Sequence, residues 1–166
     1  MTPRRRRPIF ESLEPRQLLS ITPVGPIVNL NLLIQGTYGD DAIALVQGGT
    51  AAAPTVVATV NGVATTYDFT KYLSLSVNGL AGNDAIDCSK LTTIGVTVRG
   101  GVGDDVIRGG GGNDTLYGGA GNGNAFDESG KDTVYGNGGN DRLFASTYAA
   151  ATLDGGAGND TIRGYN

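Results

Sequence analysis

A nine-residue phrase recurs in frame through the second half of this chain, and it leaves few folds open. Gly100–Arg108 reads GGVGDDVIR, Gly109–Tyr117 reads GGGGNDTLY and Gly155–Arg163 reads GGAGNDTIR. Each has glycine at positions one, two and four, aspartate at six and an aliphatic residue at eight. A short fixed period specifies a solenoid in which every turn repeats one local conformation, because one such unit cannot bury its apolar side alone.

The copies between these are eroded. Gly118–Phe126 (GGAGNGNAF) carries Gly123 where the aspartate should be, Asp127–Tyr135 (DESGKDTVY) keeps Gly130, Asp132 and Val134, and Gly136–Phe144 (GNGGNDRLF) keeps Asp141 and Leu143. Residues Ala145–Asp154 make one degenerate repeat with an inserted residue and no central aspartate. Two looser copies lie upstream, Gly36–Ala44 (GTYGDDAIA) with Asp41 and Gly79–Asp87 (GLAGNDAID) with Asp84. Positions seven to nine predict a short strand with the aliphatic side chain turned inward, so Ile107, Leu116, Val134, Leu143, Leu153 and Ile162 are the expected thin core.

From Pro26 to Val77 the apolar residues alternate, in Ile27–Leu32, Val56–Val60 and Leu73–Val77, as strands with one buried face do. Gly48-Gly49 and Asn61-Gly62 are the expected turns, with a hairpin-like excursion around residues 50–68. Leu91–Arg99 is expected to be a coil with a strand at Val96–Val98 and no aspartate. No window carries a 3.6-residue apolar period. The predicted class is all-β, a right-handed parallel β-roll or β-solenoid, with wider degenerate coils first and a disordered N-terminal tail.

Composition narrows function by exclusion. The chain has no histidine, which removes Ser-His-Asp and Cys-His nucleophiles, HExxH zinc sites and zinc fingers. Cys88 is the only cysteine and reads as a small half-buried apolar residue. Five of the 12 basic residues, but only two of the 16 acidic ones, lie in the first twenty positions; the rest of the chain holds seven basic and fourteen acidic side chains. That acidic body argues against nucleic acid and for cations. No segment approaches the ~18–20 consecutive apolar residues of a transmembrane segment.

The phrase resembles the RTX, or haemolysin-type calcium-binding, nonapeptide GGxGxDxUx. The resemblance implies a parallel β-roll in which two nonapeptides make one coil, so that repeats n and n+2 stack on one edge. It also implies Ca²⁺ as the cofactor, with ligands from Asp105, Asp114, Asp132, Asp141 and Asp160 and from carbonyls at Gly110, Gly112, Gly130, Gly139, Gly156 and Gly158. The ion takes six to eight oxygen ligands at ~2.3–2.6 Å, which carboxylates and crowded carbonyls supply. Stacking n on n+2 sets Asp114 opposite Asp132 and Asp141 opposite Asp160. Asp105 then meets Gly123, and Asp132 meets the Ala149–Ala151 run, as weaker sites. Two carboxylates about 5 Å apart repel by roughly 3 kcal/mol at an effective dielectric near 20, so folding of the second half is expected to couple to calcium. At position nine, Tyr117 and Tyr135 should stack on one outer face and Phe126 and Phe144 on the other.

Leu13-Glu14-Pro15-Arg16-Gln17-Leu18-Leu19 resembles the LEPR-XLL segment of large exported planctomycete-type proteins, which implies export or surface sorting. The organisation expected is an export-like tail at 1–24, divergent solenoid coils at 25–99 and a calcium-binding roll at 100–166. Because the chain opens at Met1 on a targeting-like segment and leaves no room for a catalytic domain, the expected function is non-enzymatic. It is a secreted or cell-surface calcium-binding module in a structural or adhesive role, with a cell-surface or matrix component as partner. The alternative is the calcium-binding portion of a truncated secreted hydrolase or toxin.

Overall fold

The computed structural model describes residues 30–145 and 151–164; the export-like tail at 1–24 lies outside them. The described residues are all-β. They form fourteen strands and one three-residue 3₁₀ turn at Phe69–Lys71.

The strands wind as a parallel solenoid. One sheet contains β1 (Asn31–Gln35), β5 (Ser74–Ala81), β7 (Val96–Val102), β9 (Thr115–Ala120), β11 (Thr133–Gly138) and β13 (Thr152–Ala157), in that spatial order. The facing sheet runs β2 (Ala42–Thr50), β6 (Ala85–Lys90), β8 (Val106–Arg108), β10 (Asn124–Phe126), β12 (Arg142–Ala145) and β14 (Thr161–Gly164). The chain crosses from one sheet to the other and back in each coil. Its register is the nonapeptide doubled: Thr97 pairs with Thr115 and Thr115 with Thr133, a spacing of 18 residues that recurs at the turns. Across the degenerate repeat the spacing becomes 19, with Thr133 opposite Thr152, so the register survives the inserted residue.

The wider coils upstream differ by insertion. The step from β5 to β7 is 21 residues, as Asn83 to Asp104 shows, and the loop it adds is clipped by one side chain. Gln47 Oε1 accepts from the backbone N–H groups of Thr92, Thr93 and Ile94, while its Nε2 donates to Thr93 Oγ1. The first step is 43 residues, because β2 continues into an antiparallel excursion, β3 (Ala53–Val60) and β4 (Val63–Asp68). Asn61 and Gly62 turn this hairpin at φ 50° and 82°, the left-handed pair that fits strand twist. The other expected turn is displaced: Gly48 and Gly49 remain paired with Thr55 and Pro54 inside β2, and the chain reverses at Ala51–Ala52. Gly49, at φ 75°, lets the strand twist before its turn.

The core follows from the repeat. Coils before residue 100 bury pairs of residues per strand, such as Leu32 with Ile34, Leu75 with Val77 and Ile43 with Leu45. Past residue 100 each nonapeptide buries one, at Ile107, Leu116, Ala125, Val134 and Leu143. Leu153 is only partly covered and Ile162 is 47% exposed. The expectation of a buried Ile162 therefore fails, because among the described residues it has a stacked neighbour, Leu143, on one side only. Outside the core, Tyr117 stacks on Tyr135 at 5.1 Å and Phe126 on Phe144 at 5.0 Å. Arginines cover these ladders: Arg99 lies over Tyr117, and Arg108 and Arg163 lie over the two ends of the Phe126–Phe144 pair.

Candidate metal centre

Most of the described crossings between sheets are tight glycine turns that end on position six of a nonapeptide, so the position-six side chains line up along two edges. The first edge carries Asp41, Asp84, Asp105, Gly123, Asp141 and Asp160. The second carries Val96, Asp114 and Asp132. On both edges the aspartate reaches back one coil. Oδ1 of Asp84 accepts from Asp41 N–H at 2.9 Å, Asp105 from Asp84 at 2.9 Å, Asp141 from Gly123 at 2.7 Å and Asp160 from Asp141 at 3.0 Å. On the second edge Asp114 accepts from Val96 at 2.9 Å and Asp132 from Asp114 at 2.6 Å.

Position five makes a second ladder of opposite polarity. Asp40, Asn83, Asp104, Asn122 and Asn140 each accept, through Oδ1, the backbone N–H of the next coil's position five; Asn113 does the same for Lys131. Together the two ladders satisfy the turn amides with side chains, as buried backbone donors require. They leave the other oxygen of most position-six carboxylates without a donor. Oδ2 of Asp84, Asp105, Asp132 and Asp141, and both oxygens of Asp127, are buried and have no hydrogen-bond partner.

Glycine at position one makes room for those oxygens. A Cβ on Gly79 would fall on Asp84 Oδ2 and the Gly100 carbonyl, one on Gly100 on Asp105 Oδ2 and the Gly118 carbonyl, and one on Gly136 on Asp141 Oδ2 and the Gly155 carbonyl. Carboxylate and carbonyl oxygens therefore converge over each bare Cα. That all-oxygen donor set, hard and lacking nitrogen or sulfur, fits Ca²⁺. Cys88 does not alter it, since burial, then Asp114 and Asp87, push its thiol up and keep it protonated.

Seven aspartates are buried: Asp41, Asp84, Asp105, Asp114, Asp127, Asp132 and Asp141. The single ion pair among the described residues is Lys71 with Asp68, and none of the seven takes part in it. Burial pushes Asp84 and Asp141 upward and takes Asp105 and Asp114 up to about 6. Burial, with Asp132 and Asp114 alongside, takes Asp127 up to about 8. These folded-state values lie above the ~3.9 of an unfolded aspartate, so the metal-free fold holds the extra protons. Its stability is therefore greatest near pH 4 and falls as pH rises through 6 toward 8. Urea unfolding of the metal-free chain across that range measures this; stability that climbs with pH would contradict it.

A family model, the RTX calcium-binding nonapeptide repeat in four copies, matches residues 97–125, 124–147 and 149–166. Residues 97–147 and 149–166 carry RTX calcium-binding nonapeptide repeats. RTX repeats bind calcium. No curated protein and no solved structure matches the chain. The upstream coils lie outside the matched residues, yet they continue the same sheets and the same aspartate ladder.

The structure brings Asp105, Asp141 and Asp160 to one edge of the RTX array and Asp114 and Asp132 to the other. Asp114 and Asp132 adjoin, as do Asp141 and Asp160. Asp105 meets Gly123 on one side, but on the other it takes the N–H of Asp84, so its forecast as a lone aspartate is incomplete. Gly130, Gly139, Gly156 and Gly158 all take positive φ, between 89° and 145°. Gly110 donates its N–H to Asp114 Oδ2 at 2.6 Å, and Gly112 packs its carbonyl against Gly130. Of the Ala149–Ala151 run only Ala151 is described, and it supplies no oxygen-bearing side chain. Asp41 and Asp84 belong to the ladder and were absent from the expected ligands, although their repeats keep aspartate at six. Asp127 was overlooked because it stands at position one, where the pattern calls for glycine.

Proposed function

We propose that this chain is a non-enzymatic calcium-binding module that acts outside the cytoplasm, in a structural or adhesive role at a cell surface or matrix. Its ligands are the position-six aspartates Asp105, Asp114, Asp132, Asp141 and Asp160, with glycine carbonyls from the adjoining turns. The observation that carries this reading is the set of buried carboxylate oxygens with neither hydrogen-bond donor nor cationic side chain nearby among the described residues. Buried charge without compensation costs several kcal/mol per ion, and a divalent cation between coils reverses the sign. We read residues 1–24 as a targeting segment, 25–99 as the coils that fold first and 100–166 as the roll that calcium completes. Low cytosolic calcium would keep the roll open for export, and the ~10⁻⁴–10⁻³ M affinities usual for extracellular modules would close it outside. Calcium titration of the metal-free chain followed by circular dichroism tests this. The β signal is expected to grow with calcium in that range; a signal already complete in chelator removes the folding switch.

A further inference from the structure

One side chain beside these edges departs from the repeat at position one. Position one is glycine at residues 36, 79, 100, 109, 118, 136 and 155, but at 127 it is aspartate. There a third carboxylate stands where the other repeats have a bare Cα beside the position-six carboxylate. Ligand atoms of Asp114, Asp127 and Asp132 lie within 4.8 Å of one another, and the three residues are 2%, 6% and 2% exposed.

Asp114 is anchored, its Oδ1 accepting from Val96 N–H and its Oδ2 from Gly110 N–H at 2.6 Å. Asp132 is anchored through Oδ1 alone. Asp127 is not anchored: neither of its oxygens has a hydrogen-bond partner, and Asp132 Oδ2 beside it has none either. A side chain 94% buried with two unpartnered oxygens, facing a third, points to a ligand between them. Its neighbours Glu128 and Lys131 face solvent and supply no counter-charge inside.

We propose that Asp114, Asp127 and Asp132 form one three-carboxylate Ca²⁺ site, tighter than the other sites of the array, in which Asp127 supplies a ligand that the nonapeptide pattern does not encode. The proposal rests on the reading of this chain as a calcium binder. Calcium affinity is tuned by the number of charged ligands and the rigidity of their frame. Here a third carboxylate joins two that the backbone already holds in place. The site sits on the second edge, between β8–β9 and β10–β11, where it joins two coils in the middle of the array.

Isothermal titration of the full chain with calcium, with and without a competing chelator, tests the site. The wild type is expected to show one site at least tenfold tighter than the rest. Asp127→Asn keeps the shape and removes the charge; Asp127→Gly restores the repeat's own residue and so preserves the turn. Both are expected to lose the tight class and keep the weaker ones, whereas Asp141→Asn, on the opposite edge, keeps the tight class. Persistence of the tight class in both Asp127 variants, or its absence from the wild type while weaker sites still titrate, overturns the three-carboxylate site alone. A wild type that takes up no calcium overturns both this site and the reading beneath it.

Discussion

In EGTA, the amides of β8 to β14 are expected to exchange with solvent almost as an open chain does, while those of β1 to β7 stay protected. Two features divide the molecule this way. The first is apolar burial: thirteen of the eighteen residues in the core cluster precede Gly100, and five follow it. Coils with paired apolar residues per strand, widened by β3 with Val56 and Ala58, have enough buried surface to hold without help. Coils with one apolar residue per nonapeptide do not. The second is how the carboxylates are satisfied. Asp41, at the head of the first edge, accepts from Thr37 N–H at 2.6 Å, from Thr37 Oγ1 at 3.2 Å and from Asn61 Nδ2 at 2.5 Å. Among the described residues before Gly100 only Asp84 retains a buried oxygen with no donor, whereas after it Asp105, Asp132 and Asp141 each retain one and Asp127 retains two. Local opening free energies span zero to the global value within one protein, and calcium removal should move the second half toward zero. Hydrogen exchange with and without EGTA measures the split. Uniform protection in EGTA would mean that the roll stands on its hydrogen-bond ladders alone.

Much of this was legible from the period. A repeat of nine with aliphatic residues at eight predicts strands of that spacing, and the pairing of Thr97, Thr115 and Thr133 follows it. The aromatic stacks at position nine follow for the same reason: in a parallel stack, equal positions lie one above another. What stayed hidden was what the pattern treats as variable. Position five is written as any residue, yet Asn83, Asp104, Asn122 and Asn140 carry a complete ladder there, because a side-chain amide or carboxylate at the turn can take the next coil's N–H. Asp127 stayed hidden for the converse reason, as a departure from a glycine position reads as erosion until its neighbours are placed. Asp84 was visible but was set apart with the wider coils, since sequence spacing does not show that a 21-residue step returns the chain to the same edge. The turn after β2 was misplaced at Gly48-Gly49 because a glycine of positive φ, as Gly49 is, can sit inside a paired strand as well as at a reversal.

Gly136→Ala is expected to destabilise the calcium-loaded roll by about 2–3 kcal/mol, within the range for forcing an atom into a packed site, and to weaken the site at Asp141 and Asp160. The added methyl would fall on Asp141 Oδ2 and on the Gly155 carbonyl, two of the oxygens that converge over this turn. Asp141 cannot swing away freely, since its Oδ1 holds Gly123 N–H at 2.7 Å, while its own N–H is held by Asp160. Relief therefore requires either breaking that link between coils or separating β11 from β13. Gly138→Ala, two residues along the same strand, is the control. Its backbone avoids the left-handed region, and a Cβ there would meet nothing closer than the Gly119 carbonyl at 4.0 Å. That substitution should be neutral or stabilise by about 0.5 kcal/mol, because alanine loses less chain entropy than glycine on folding. Urea midpoints in saturating calcium, with calcium titration of each variant, separate the two positions. Equal midpoints would mean that the glycine at position one is there for the turn alone, and that the oxygens above it do not converge on an ion.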